Sequence, residues 1–210
     1  MSEVVIDFSM MTMMIEQEEK TFSSSQVQSL IAQAKLGDSH AFEQILILYQ
    51  RQVLGTSIRL LGNVDDGRDA AQEVFLKLHK YLHNFNEEKD FLPWLYQMTV
   101  NSCRDIARKR AKHSTLSLES EKEIINNIAS SQDIEQEINL VQEKKIINQA
   151  LETLSEKEKT VLILRDIEGL ETKDVARLLG TAEATIRSQI SMARIKIKKY
   201  RDKFLGKLIK

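Results

Sequence analysis

Three observations predict an all-α protein of two helical domains joined by a flexible linker. One proline and seven glycines in 210 residues leave long helices few interruptions. Apolar residues recur at three- and four-residue steps, and β-branched residues do not cluster in alternating runs. Between two such periodic stretches, from Ser114 to about Asp133, the chain is rich in serine, glutamate and asparagine, which reads as an acidic, flexible linker.

Residues 1–25 read as a disordered leader. Val4-Val5-Ile6 is broken by Asp7, and the methionines are followed by Glu16, Glu18 and Glu19. A signal peptide needs a basic start and an unbroken apolar core, and no stretch approaches membrane-spanning length. Neither export nor membrane insertion is expected, which places the chain in the cytoplasm. The translation start stays open among Met1, Met10, Met11, Met13 and Met14.

The first domain, 26–113, should hold four helices. Val27, Leu30, Ile31 and Ala34 share one face of the first, which Gly37 is placed to end. Asp38 or Ser39 can cap the second, whose stripe is Phe42, Ile45, Leu46, Tyr49 and Val53 and which runs to about Leu61. Gly62-Asn63 stops it, and Asp65 or Asp66 opens a third with Ala71, Val74, Leu78 and Leu82 inward. After the polar loop Asn84 to Asp90 comes a fourth helix, with Pro93 in its first turn and Phe91, Leu95, Met98 and Ile106 on its apolar face.

The second domain, 134–203, opens on a helix with Leu140, Ile147, Leu151 and Leu154. Ser155-Glu156-Lys157-Glu158 is a capping box for the next, with Val161, Leu162 and Ile167 inward and Gly169 at its end. Thr172 opens a short helix burying Val175, Ala176 and Leu179. Gly180-Thr181 turns the chain into a long helix with Ile186, Ile190, Ala193 and Ile197 on one side, and 204–210 form a basic tail.

The net charge of −1 hides an asymmetry. From Thr185 to Lys210 there are nine basic residues against Asp202, and Asn101 to Lys112 holds five against Asp105. Two basic islands in a neutral chain suggest two contacts with a polyanion. Thr172 to Ser191 is a helix-turn-helix pattern, which leaves Thr185, Arg187, Ser188 and Ser191 outward with Arg194 and Lys196 beyond for phosphates. The bland reading is a three-helix packing unit with a solvated basic face.

On the fourth helix Gln97, Asn101, Arg104 and Arg108 fall at steps of four, three and four, a ridge able to read bases and hold phosphates. It could equally be a solvated face with Asp105 paired to Arg108 or Lys109. Asp69, Gln72, Glu73 and Leu76 form an acidic patch around a leucine, a docking surface for a protein or an ordinary surface helix.

His79 and His83 lie four apart, but no cysteine completes a metal site, and Cys103 fits a buried or half-buried thiol. Neither a phosphate-cradling glycine loop nor a nucleophile elbow occurs. No enzyme, cofactor, metal or small-molecule substrate is expected.

Several segments together resemble a known family. Gly37-Asp38-Ser39-His40-Ala41-Phe42 is similar to its "GDxxAF", and Asp69-Ala70-Ala71-Gln72-Glu73-Val74-Phe75 to its "DLVQEVF". Phe91 to Tyr96 with Asn101 and Asp105 resembles "FxxWLYxIAxNxxxD", and Leu151 to Leu170 resembles "LPxxxRxVxxLRxxEGL". These marks, in order, are those of extracytoplasmic-function (ECF) sigma factors of RNA polymerase.

The resemblance implies that the first domain is a four-helix sigma region 2 and the second a helix-turn-helix sigma region 4. Asp69, Gln72, Glu73 and Leu76 would dock on the β′ clamp helices of the polymerase core, and the second domain would rest on the β flap. The loop Asn86 to Asp90, with Asn86 and Lys89, and the ridge of Gln97, Asn101, Arg104, Arg108 and Lys109 would bind the −10 element. A base flipped from the non-template strand would hold the promoter open. Thr185, Arg187, Ser188, Ser191, Arg194 and Lys196 would serve the −35 element, and an anti-sigma factor is an expected partner.

This chain departs from its relatives at three places. Gln189 and Met192 stand where "TVKSRLxRAR" has bases, Gly67-Arg68 where an acid often precedes Asp69, and Ser155 caps a helix that a proline usually precedes. The alternatives are a stand-alone helix-turn-helix regulator, which would bind duplex DNA tightly without polymerase, and a helical scaffold with no affinity for nucleic acid.

Overall fold

The computed structural model describes residues 23–114 and 148–208, and among them there are helices and turns but no strand. Residues 1–22 of the expected leader, the linker, and Leu140 and Ile147 of the second domain's first helix lie outside the described residues, whereas Ser23, Ser24 and Ser25, expected in the leader, cap and begin the first helix.

Helix α1 spans Ser24–Lys35, and Ser23 and Gln26 close a capping box at its start. Gly37, at φ +94°, adopts the left-handed conformation that ends it. Helix α2, Ser39–Leu61, starts where Asp38 Oδ1 accepts from the backbone N–H of His40 and Ala41. Helix α3 spans Val64–Tyr81, but its cap is Asn63, whose Oδ1 accepts from Asp66 N–H at 2.9 Å. Asp65 and Asp66 sit in its first turn, where carboxylates suit the helix dipole but do not begin the helix. A 3₁₀ turn, Leu82–Asn84, leads to the loop before helix α4, Phe91–Ser114.

Residues 148–152 are helical. Helix α5, Glu156–Leu162, has the expected capping box of Ser155 with Glu158, and continues through a π turn at Ile163–Ile167. Helix α6 spans Thr172–Leu179 and ends on Gly180, and helix α7 runs from Glu183 to Leu208.

The chain divides into two compact units, 1–45 and 46–210. Within the first, Ile31, Ala41 and Ile45 are buried. Within the second, α3 packs on α4, α4 on α6, and α7 on both α5 and α6. One core contains Leu60, Tyr96, Val100 and Cys103 together with Val161, Leu164, Val175, Ile186 and Ile190. It therefore draws side chains from both periodic stretches of the sequence. The expected inward stripes of α3 and of the helix-turn-helix are buried, with Leu179 and Ile197 half-covered.

α4 buries two faces rather than one. Phe91, Leu95 and the Cys103 thiol lie inward as expected, but so do Tyr96, Thr99, Val100 and Ser102. Burial pushes the Cys103 thiol up to about 11, which keeps it protonated near neutral pH. Gly67 of α3 is buried against α2, and a Cβ there would lie 2.5 Å from Ile58 Cγ1 and 3.0 Å from the Ile58 backbone.

A polar cluster with little access to solvent ties α2 and α4 to the end of the π turn. Glu168 Oε1 accepts from Thr56 Oγ1 at 2.5 Å and from Arg59 Nη1 at 3.0 Å, and its Oε2 accepts from the Tyr96 hydroxyl at 2.5 Å. Burial, then the Glu168 charge, raises the Tyr96 pKa above that of an ordinary phenol, so the hydroxyl remains a donor. The Lys159 ammonium, itself buried, donates to the Leu60 carbonyl at 3.1 Å.

Candidate nucleic-acid interface

Three surfaces carry the residues singled out by the sequence. On α3, Asp69, Gln72, Glu73 and Leu76 are exposed at i, i+3, i+4 and i+7, so they form one ridge opposite Ala70, Ala71, Val74 and Leu78. Leu76 is 61% exposed at the end of this ridge. Glu73 lies 3.4 Å from Lys77, whose ammonium also donates to Ser102 Oγ of α4 at 3.0 Å. The ridge is thereby fixed to α4.

On α4, Gln97, Asn101, Arg104, Arg108 and Lys109 are exposed along one side. Arg108 pairs with Asp105 at 3.2 Å, as its spacing suggested. Arg104 and Lys109 have no ion-pair partner among the described residues. Four aromatic rings brace the start of this helix. Phe91 stacks against Tyr49, Phe85 and Trp94 at 5.3, 5.5 and 5.9 Å, and Phe85 meets Trp94 at 4.9 Å. The loop between Phe85 and Phe91 is thus anchored at both ends. Within it the Asn86 side chain has a structural task, since its Oδ1 accepts from Glu88 N–H at 2.9 Å to form an Asx turn. Lys89 is exposed.

On α7, Thr185, Arg187, Ser188 and Ser191 are exposed, while Ile186, Ile190 and Ala193 are buried against α5 and α6. A helix that buries one stripe and presents short polar groups and an arginine on the other suits a DNA groove. All three of its candidate cations have acids beside them, whereas among the described residues Arg108 is paired on the α4 ridge and Arg104 and Lys109 are not. Arg187 meets Glu183 at 2.5 Å, and Arg194 forms a two-pronged bond to Asp166 through Nε at 2.9 Å and Nη2 at 2.8 Å. Lys196 Nζ donates to Glu158 Oε2 at 2.7 Å. That bond, aided by the Ser155 N–H and hydroxyl, holds the Glu158 carboxyl down at about 2.

Asp166, Glu158 and Glu168 were not singled out from the sequence as contact residues. Apart from the Ser155 cap on Glu158, their partners lie between 28 and 112 positions away, beyond any local pattern. Among the described residues no three His, Cys, Asp or Glu gather as a metal site, and no helix is long and apolar enough to cross a membrane.

Comparison with known proteins gives the family. The family model for Sigma-70 region 2 matches residues 46–113, and that for Sigma-70, region 4 matches residues 144–197. The chain is 30% identical over 182 residues to the RNA polymerase sigma-H factor of Pseudomonas aeruginosa, covering 84% of this chain and 94% of that one. It is 28% identical over 172 residues to the ECF RNA polymerase sigma-E factor of Haemophilus influenzae, covering 80% and 90%. A Bartonella quintana sigma factor, RpoE, solved in complex with the anti-sigma factor NepR, shares the fold, with a TM-score of 0.63 and 24% identity over 77% of this chain and 96% of that one. With both region models matched in order and relatives aligned over nearly their full length, the chain belongs to the extracytoplasmic-function sigma factors, transcription initiation factors that bind RNA polymerase core and direct it to promoters.

Proposed function

We propose that the three exposed surfaces divide promoter recognition among them. The α3 ridge of Asp69, Gln72, Glu73 and Leu76 docks on the β′ clamp helices, an apolar knob ringed by acids. Residues 26–113 form the module that carries it, and the α4 ridge of Gln97, Asn101, Arg104, Arg108 and Lys109 binds the −10 element as it melts. Residues 134–203 form the second module, which rests on the β flap and presents Thr185, Arg187, Ser188 and Ser191 to the −35 element. Opening is driven by capture of an unstacked base, with no bond made or broken by the protein.

The observation that carries this reading is the exposed cation Arg104, without an ion-pair partner among the described residues, on a helix whose other two faces are buried. A core-facing arginine would be covered, and a merely solubilising one would gain by pairing with Asp105 as Arg108 does. An anti-sigma factor is the natural regulator, as in the Bartonella complex, and a cytoplasmic site of action follows from polymerase as the partner.

The test is transcription in vitro with polymerase core stripped of its own specificity subunit. Addition of this protein should produce discrete start sites, and no gain in selectivity would overturn the proposal. Glu73→Lys should weaken co-purification with core by about tenfold or more, since it places like charge in a docking patch. Undiminished binding would refute the α3 assignment.

A further inference from the structure

The sequence counts seven cations on α7 between Thr185 and Lys203. In the structure four of them, Arg187, Arg194, Lys196 and Arg201, sit beside an acid. The acids are of two kinds. Glu183 and Asp202 lie on α7 itself and are exposed, so each can swing aside when a phosphate approaches. Asp166 and Glu158 come from a different part of the chain and cannot. Asp166 belongs to the π turn and its side chain is 6% exposed, whereas that of Arg194 is 62% exposed. Glu158 is fixed at the start of α5 by bonds from the Ser155 N–H and hydroxyl, and its side chain is 12% exposed against 40% for Lys196. In both pairs the cation faces water and the anion is held behind it.

We propose that Asp166 and Glu158 are fixed counter-ions that hold back the non-specific electrostatic attraction of the −35 face. A phosphate approaching Arg194 meets a guanidinium whose charge is already answered within 3 Å by an immobile carboxylate. Each pair removes one cation from those that displace counterions from DNA, so the duplex is held less by charge and more by the groups that read base edges. Lys198, Lys199 and Lys203, without an ion-pair partner among the described residues, remain for phosphates. Asp166 and Glu158 are thus positioning residues, acting on DNA through the side chains they hold. The inference rests on the −35 role proposed above for α7.

The measurement is the salt dependence of binding by the holoenzyme, reconstituted from core and full-length protein, to promoter duplex and to random-sequence duplex. The slope of log K against log salt changes by about 0.9 per phosphate contact, which is about threefold in affinity across a fourfold change in salt. Asp166→Asn keeps the shape and removes the charge. It should steepen the slope by about 0.9 on both duplexes and narrow the preference for promoter. Glu158→Gln should do the same through Lys196. Arg194→Ala alone should leave the slope unchanged, and in the Asp166→Asn background it should reverse the steepening. A slope unmoved by Asp166→Asn would overturn the proposal. So would a slope lowered by about 0.9 in Arg194→Ala with Asp166 present, because that Arg194 would already be binding phosphate; this arm decides the matter even where the Asp166 variant folds poorly. A wild-type holoenzyme with no preference for promoter would instead remove the function proposed for the whole chain.

Discussion

Arg104 on α4 and Arg194 on α7 carry the same charge, both are exposed, and both were assigned to phosphate or base contact on the same sequence grounds. Their surroundings differ. Arg104 has no ion-pair partner among the described residues, and its helix is held by aromatic packing and by bonds from other side chains, such as Lys77 to Ser102. Arg194 is joined by two hydrogen bonds to a nearly buried carboxylate 28 residues earlier. One ridge is supported from beneath and leaves its cation open to a ligand. The other uses its cation as part of the support. A count of basic residues treats the two alike, and only the placement of acids distant in sequence separates them.

The largest effect that could break this contrast is on promoter opening. Arg104→Ala should lower open-complex formation by the equivalent of about 1–3 kcal/mol while leaving the thermal midpoint and core binding unchanged. Unaltered transcription, or a loss traced to unfolding, would put Arg104 in the same class as Arg194. Next in size, Arg194→Ala should cost stability, because it leaves Asp166 charged and covered. With the arginine end largely in water the loss should be about 1 kcal/mol, a fall of a few degrees in thermal midpoint for a chain of this size. A midpoint equal to wild type would show the pair to be ornamental.

The smallest effect is on acid stability. The folded Glu158 carboxyl is held near 2, below its ordinary 4.5, so its contribution is complete above about pH 4.5 and is lost as the pH falls toward 2. Glu158→Gln should be less stable than wild type at neutral pH and should lose less between pH 4.5 and 2. Parallel stability curves for the two proteins would dissociate Lys196 from Glu158.

Much of the fold could be read in advance because its signals are local. Gly37, Gly62, Gly169 and Gly180 all adopt positive φ at helix ends, and Ser155 with Glu158 forms the capping box its spacing suggests. The apolar stripe of α3 needed only its period. Asn63 reads as part of a stop but is also the cap of the next helix, since one residue can do both within a two-residue turn. The second buried face of α4 was missed because Thr99, Ser102 and Tyr96 are polar enough to pass for surface, while their hydrogen bonds make burial tolerable. Of the candidate site, the exposed positions on α3, α4 and α7 were legible from helical geometry. Which cations already have a partner was not, because Asp166 and Glu158 reach α7 only once the chain has folded.

Gly67, an apparent oddity beside the acidic ridge, has a consequence for how that ridge is aimed. Where two helices touch main chain to main chain, no rotamer change can alter the angle at which they cross, and larger residues elsewhere along the contact cannot wedge them apart without losing the fit at this point. The heading of Asp69 and Glu73 is therefore set by the backbone itself. Surface substitutions around the ridge can alter how strongly it grips a partner, but they cannot readily change the direction from which that partner must arrive.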